Sequence, residues 1–269
     1  MNSHIASDMW GRGNPYEQYI GRWSRRVAPI FLSWLDSAPH KVWLDVGCGT
    51  GALTAAILDL CSPAEVIGVE PSHGFLGLAS QSLEARATFH VGNAAAIPLP
   101  ASSIDVVVSG LVLNFVPDVR GALAEMRRVA KPGGVLAAYV WDYEDQMELI
   151  RIFWDAAVAL DEKALELHEG RRFPLCSAGA LRAAFEDAGL LNIDVTELNG
   201  VAQFANFKAY WSPFLGGQGP GPAYAMSLTE DERFQLKEAI RARVPIESNG
   251  SITLRTRAWG VRATTPSDA

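Results

Sequence analysis

The chain has 269 residues, of which 49% are hydrophobic and 20% charged, and 23 basic against 30 acidic side chains leave a formal net charge of −7. Size and composition predict one large globular domain, or one domain with an insertion. The acidic balance argues against a nucleic acid or an anionic membrane as partner, because phosphate binding needs a basic face. Cys48, Cys61 and Cys176 have neither disulfide nor metal spacing, which predicts a reducing cytoplasm and no bound metal. The N-terminus lacks a basic-then-apolar leader, and no apolar run is long enough to cross a bilayer.

In chain order, residues 1–40 read as a helical cap preceding the main domain of residues 41–269. Val42–Val46 is an apolar strand ending at Asp45 and the loop G-C-G-T-G, with glycines at 47, 49 and 51. A helix follows, with Leu53, Ala56, Ile57 and Leu60 on one face and Pro63 as its stop. Val66–Val69 is a second strand closing on Glu70, and Ser72 caps the next helix. Thr88–Val91 is a short third strand. Ile104–Val108 is a β-branched run of the kind buried on both faces. Val119–Ala130 is a helix, Lys131-Pro132-Gly133-Gly134 a turn, and Val135–Val140 a fifth strand. This alternation predicts an α/β fold, a parallel sheet with helices on both faces and the C-terminal ends of its strands on one edge.

Beyond Trp141 the pattern loosens. Met147–Leu160 and Ala178–Ala188 are helical, the latter closed by Gly189. Ile193–Glu197 is a sixth strand and Ile252–Val261 the last. Between them, residues 198–250 form an insertion with an aromatic stretch, F-A-N-F-K-A-Y-W-S-P-F, a Gly/Pro loop, and a helix from Thr229 to Ala242 that opens with the capping-box pattern T-x-x-E. A long aromatic insertion in a compact domain predicts a lid.

Chemistry-bearing residues fall at strand ends. The glycine loop lets a backbone approach a nucleotide-like ligand closely, and Ala52 also satisfies the looser dinucleotide form G-x-G-x-x-A. Glu70 lies 25 residues after Asp45, where a carboxylate can accept both hydroxyls of an adenosine ribose. Both features identify a ribose without choosing a cofactor.

Five segments in order supply the choice: L-D-V-G-C-G-T-G, V-I-G-V-E-P-S, V-G-N-A-A-A-I-P-L-P, S-I-D-V-V-V-S-G and M-R-R-V-A-K-P-G-G-V-L. Together they resemble the class I S-adenosylmethionine-dependent methyltransferases, in the branch of the ubiquinone/menaquinone-biosynthesis C-methyltransferases, closely over residues 40–141 and more loosely over the final strands. The resemblance implies a Rossmann-like α/β fold, a seven-stranded mostly parallel sheet with helices on both faces and an antiparallel last strand. The resemblance implies that Asp45 holds the methionine ammonium, while Gly47, Cys48, Gly49 and Gly51 let the backbone pass beneath the cofactor. It implies that Glu70 binds the ribose, with Pro71 and Ser72 beside the adenine. Asn93 and the Ala94 backbone would read the adenine edge; the family usually has Asp at position 93, so the charge is lost there. Ser109 and Leu111 would line the methionyl side. Related enzymes fold an N-terminal segment over the cofactor, which points to Tyr19 and Arg22; the plainer reading of that segment is a helix docking its aromatics in a groove.

Methyl transfer is an in-line displacement that needs alignment and exclusion of water. A base is needed only where the acceptor must lose a proton; Asp142 is the residue placed for it by position, and the plainer reading of Asp142 is a solvated loop acid. Trp141 and Tyr143 beyond strand five, Tyr210, Trp211 and Tyr224 in the lid, and Asn114, where relatives often carry His, are expected around the acceptor. That acceptor reads as a small aromatic or heteroaromatic metabolite, with S-adenosylhomocysteine as the second product. Trp10, Trp23 and Trp34, read as exposed, suit a homodimer contact as well as an active-site cap. Two other readings stand beside this one: a nicotinamide-dependent oxidoreductase, and a non-catalytic S-adenosylmethionine-binding protein.

Overall fold

The computed structural model describes residues 21–217 and 219–267. Seven strands form one sheet in the order β3-β2-β1-β4-β5-β7-β6. They are β1 (Val42–Val46), β2 (Glu65–Glu70), β3 (Thr88–Val91), β4 (Ile104–Gly110), β5 (Ala130–Trp141), β6 (Leu191–Phe204) and β7 (Ile252–Thr264). The first five are parallel, and β7 runs antiparallel to both its neighbours. The predicted Rossmann-like sheet with an antiparallel last strand is therefore the one observed.

The pleat sorts the strand residues between two cores. On one face Trp43, Val106, Val108, Ala137, Tyr139 and Trp141 meet three helices: α1 (Arg22–Leu35), α2 (Ala52–Leu60) and, later in the chain, α5 (Glu148–Leu160). On the other, Leu44, Val46, Val107, Leu136, Ala138 and Val140 meet α4 (Val119–Val129) and α7 (Ala178–Asp187). Helix α3 (His73–Leu83) follows β2, and Ser72 Oγ accepts from Phe75 N at its start. A single turn, α6 (Glu169–Arg172), precedes α7.

Several boundaries move, each for a physical reason. β5 begins at Ala130 because Ile104 already pairs with Ala130, and the Lys131–Gly134 turn becomes a register shift before Val106 meets Val135. β6 runs to Phe204 because β7 supplies an unbroken ladder from Asp194↔Arg262 to Phe204↔Ile252, beyond a register shift after Leu191↔Thr264. Residues 198–204 therefore belong to the sheet and not to the insertion. Leu60, expected on the buried face of α2, is 58% exposed, since it is the helix's last residue before the left-handed turn at Ser62.

Of the expected cap, residues 1–20, with Trp10 and Tyr19, lie outside the described residues. Its remainder, α1, is a layer of the core: Trp23, Val27, Ala28, Phe31, Leu32 and Leu35 are all buried. Trp23 is covered by the chain itself, and Trp34 is half-buried beneath the guanidinium of Arg262, 4.7 Å from its ring centroid. Neither is the exposed aromatic that a dimer contact through this helix would need. No helix among the described residues is long and apolar enough to cross a membrane.

Candidate active site

A cavity of about 670 Å³ opens at the C-terminal ends of the parallel strands, where ligands bind in open α/β sheets. Its floor is the turn after β1. Gly47 and Cys48 donate their N–H groups to Val69 O at 2.7 and 3.1 Å, which ties the loop to β2. Gly47 has φ +75°, and a Cβ there would stand 2.6 Å from Val112, so only glycine fits. Gly49 N donates to Glu70 Oε2 at 3.1 Å. Gly51 caps α2 with φ +86° and packs beneath Leu83 and Ala79. It lies outside the cavity wall, and its contribution is the bend that aims α2.

Asp45 is 1% exposed and accepts from Thr54 Oγ1 at 2.7 Å. Burial pushes its carboxyl up to about 7, against the pull of the Thr54 hydrogen bonds and with the help of the nearby Glu70 charge. A buried acid in that condition is completed by a cation. Glu70 Oε1 accepts from Ser72 N at 2.9 Å, so each carboxylate oxygen is held by one backbone donor and keeps lone-pair capacity for another. Burial raises its pKa as well. The Cys48 thiol is likewise pushed up by burial and by these two acids, which makes it a filler and not a nucleophile.

Asp45, Gly47, Cys48, Gly49, Glu70, Pro71, Ser72, Asn93, Ala94 and Leu111, all expected around a cofactor, line this one cavity together. Asn93 Oδ1 also accepts from Ala95 N at 3.0 Å, so the amide is fixed by its own turn. Leu111 sits at φ +64°, a strained conformation for a branched side chain, with its N–H on Tyr139 O.

Other expected residues are elsewhere. Ser109 is fully buried and donates to Val46 O at 2.9 Å; it pins β4 to β1 and does not line the cavity. Arg22 lies over the rings of Trp23 and Phe204 at 4.6 and 5.0 Å from their centroids, so its guanidinium, with Nε and Nη2 buried, packs on these two rings and does not line the cavity. Asn114 donates to Cys176 Sγ and accepts from Leu175 N, a buried clasp between the β4 loop and the segment before α7.

The aromatics of the insertion also turn away. It contains α8 (Phe207–Trp211), α9 (Pro220–Ser227) and α10 (Glu230–Arg241), the last with its capping box formed by Thr229 and Glu232. Tyr210 is fully buried and donates to Leu149 O at 3.1 Å. Trp211 packs on Phe214, and Tyr224 lies on Trp154 and Phe153. None of the three lines the cavity. They extend the core of the sheet's first face against α5, because large apolar rings gain more from mutual burial than from facing solvent over a cleft.

Asp142 corrects the expectation of a base. It is 2% exposed, and its carboxylate accepts from Asp145 N and Gln146 N, each at 3.1 Å, and from Arg257. Both oxygens are engaged and neither reaches the cavity wall. Its neighbours Trp141 and Tyr143 do line it.

The sequence reading missed Tyr139, Phe115, Val112, Pro117, Phe75, Gly21 and Ser24, which also line the cavity. Tyr139 carried a usable signal, since it lies two residues before Trp141 on one strand and so on the same face. Apart from Asp45 and Glu70, the charged residue among the described lining is Asp118, which caps α4 by accepting from Gly121 N. Among the described residues no cluster of three or more His, Cys, Asp or Glu is arranged to hold a metal ion.

Residues 44–138 match the family described as "Methyltransferase domain". The demethylmenaquinone methyltransferase of Bacillus licheniformis is 30% identical over 172 residues, 58% of this chain and 73% of that protein. The demethylmenaquinone methyltransferase of Anoxybacillus flavithermus is 32% identical over 169 residues, 56% of this chain and 70% of that protein. In fold, the chain is similar to the YcgJ protein of Bacillus subtilis, with a TM-score of 0.59 at 18% identity over 90% of this chain and 99% of that one.

Proposed function

We infer the use of this cavity from one premise: the chain belongs to the class I S-adenosylmethionine-dependent methyltransferases, in the menaquinone/ubiquinone-type branch. The enzyme transfers a methyl group to a small molecule, and the nicotinamide reading is set aside because these relatives are methyltransferases.

The residues of the floor fit the methyl donor. We propose that Asp45 takes its α-ammonium, a cation that would draw this buried carboxyl into its ionised form. Glu70 takes the ribose hydroxyls with its remaining lone pairs. Pro71, Ser72, Asn93 and Ala94 border the adenine, while Gly47, Cys48, Gly49 and Leu111 border the methionyl chain. When bound, S-adenosylmethionine supplies a methyl group already activated by a positive sulfur. What remains for the chain is to hold the acceptor in line and keep water out.

The wall formed by Phe115, Tyr139, Trp141 and Tyr143 suits that task. Aromatic faces attract a cationic sulfonium and stack on a flat acceptor. No Lys, Arg or His stands among the described lining residues, which favours an acceptor without phosphate or carboxylate. The acceptor is thus an aromatic small molecule of the reduced-quinone type, consistent with the name of the relatives. With Asp142 engaged elsewhere, its nucleophilic atom must be electron-rich on its own. The free cysteines are consistent with a reducing cytoplasm.

The single observation that carries this reading is one continuous cavity joining Asp45 and Glu70 to the aromatic wall. Calorimetric titration with S-adenosylmethionine and S-adenosylhomocysteine, with NAD and NADP as controls, tests the floor. Transfer of labelled methyl to 1,4-naphthohydroquinone or demethylmenaquinol tests the wall. Binding of the first pair alone, with label recovered in the quinol, is the expected result. Nicotinamide binding without the other overturns it.

A further inference from the structure

Between Trp141 and Tyr143, both in the aromatic wall, stands the buried Asp142, and one side chain on β7 holds it. Arg257 donates from Nε to Asp142 Oδ2 at 2.8 Å, with Nη2 2.6 Å from the same oxygen. Nη2 also reaches Asp145 Oδ2 at 3.3 Å, and Nη1 reaches Glu197 Oε1 on β6 at 2.9 Å. The guanidinium lies 4.6 Å from the ring centroid of Trp259. The main chains interlock at the same place: Asp142 N donates to Arg257 O at 3.0 Å, and Arg257 N to Gln146 O at 3.2 Å. Met147 N closes the loop on Asp142 O at 2.9 Å.

We propose that Arg257 is a positioning residue for the methyl acceptor. By clamping the Asp142-centred loop to β7, it fixes Trp141 and Tyr143 at the angle the acceptor meets. This rests on the reading of the aromatic wall as the acceptor side. Arg257 itself is absent from the cavity lining and acts through the loop. Its fork is what the site requires, since a planar guanidinium serves Asp142, Asp145 and Glu197 at once, whereas an ammonium is a point charge that cannot span them. Among the bonds that hold this loop, the buried ion pair is the one sensitive to loss of its cation, because the carboxylate left behind is buried without its counter-charge. The cofactor floor belongs to β1 and β2, strands that Arg257 does not touch, so its influence falls on one substrate and not the other.

The test compares Arg257→Met, Arg257→Lys and Asp142→Asn with the parent and with Arg255→Met. The control removes an exposed arginine on the same strand that pairs with Glu148 instead. With 1,4-naphthohydroquinone as acceptor, Arg257→Met is expected to raise its KM at least fivefold, with the Kd for S-adenosylhomocysteine within twofold of the parent. Arg257→Lys and Asp142→Asn fall between, and Arg255→Met is unchanged. An unchanged acceptor KM, or an equal loss of cofactor affinity, overturns the proposal. A second readout needs no acceptor: the acrylamide quenching of Trp141, taken as the difference between each protein and its Trp141→Phe counterpart. Arg257→Met and Asp142→Asn are expected to make Trp141 severalfold more accessible. If the parent does not methylate the quinol, the acceptor reading fails alone, and protection of Trp141 still decides whether the clamp exists. Should Arg257→Met not fold, Arg257→Lys and Asp142→Asn carry both measurements.

Discussion

The two ends of the cavity are built in different ways. The cofactor floor comes from consecutive strand ends, and its contacts are largely backbone: Gly49 N and Ser72 N on Glu70, Gly47 N and Cys48 N on Val69 O. The acceptor wall is gathered from segments far apart in the chain, from Gly21 and Ser24 through Phe115 to Tyr139, Trp141 and Tyr143. Local loops are specified by a few residue types that the backbone demands. A wall assembled at long range is specified by shape, which many residue types supply.

The largest effect separates the ends directly. Asp45→Ala and Glu70→Ala each remove a buried polar partner, expected to cost about 2–3 kcal/mol, or on the order of a hundredfold in cofactor Kd. Calorimetry with S-adenosylhomocysteine measures this. Cofactor affinity within threefold of the parent in both variants would dismantle the floor.

The same contrast explains what the sequence made legible. Asp45, the glycines, Glu70 and Asn93 were visible because strand, turn and helix succeed one another within each motif, and the motif requires those residues. The parallel strands followed from the same alternation, and the antiparallel β7 from the family resemblance. The insertion reads as a lid because its sequence shows the aromatics without their partners. Tyr210, Trp211 and Tyr224 find those partners in Phe153, Trp154 and Phe214, and no spacing within residues 198–250 records that α5 stands opposite. Asp142 was singled out by its place after β5, and Arg257, which engages it, lies 115 residues later. Ser109 sat at a strand end as expected, but a hydroxyl among buried strands takes the nearest carbonyl, and that is Val46 O.

The pH dependence comes next in size and sharpens the floor. The Asp45 carboxyl is pushed up to about 7 by burial. As pH rises from the ordinary carboxylate range towards 7, the ligand-free protein holds a proton that the unfolded chain has lost, so this group makes its stability fall over that interval. Glu70, also raised, acts with the same sign. Binding of an ammonium-bearing ligand demands the ionised form of Asp45. Below pH 7 affinity is therefore expected to weaken by about tenfold per pH unit, with release of up to one proton. Titrations in two buffers of different ionisation enthalpy measure the proton directly. In Asp45→Asn the slope attributed to this group disappears; an unchanged slope transfers it to another group.

At the acceptor end, Tyr139→Leu keeps the bulk of the strand core and removes an aromatic face that also packs on Phe31 at 4.7 Å. The expected loss is about 1 kcal/mol, roughly fivefold in kcat/KM for a quinol acceptor. Cofactor Kd is expected to remain within twofold, because Tyr139 packs beside Gly110 on β5, with β4 between it and β1. A cofactor loss equal to the acceptor loss would make the two ends one unit.

The smallest effect tests whether the insertion is a lid at all. Tyr210→Phe deletes one buried hydrogen bond, to Leu149 O, and leaves the ring in place. Such a bond contributes about 1 kcal/mol, which for a chain of this size lowers Tm by roughly 2–4 °C. A residue that faces an acceptor changes KM, whereas one that fastens α8 to α5 changes only stability. Thermal unfolding and acceptor KM, measured on the same protein, are expected to show the first shift without the second. A raised KM with unchanged Tm would return Tyr210 to the cavity and with it the lid, and the aromatic core around Phe153 would then be the closed position of a moving element.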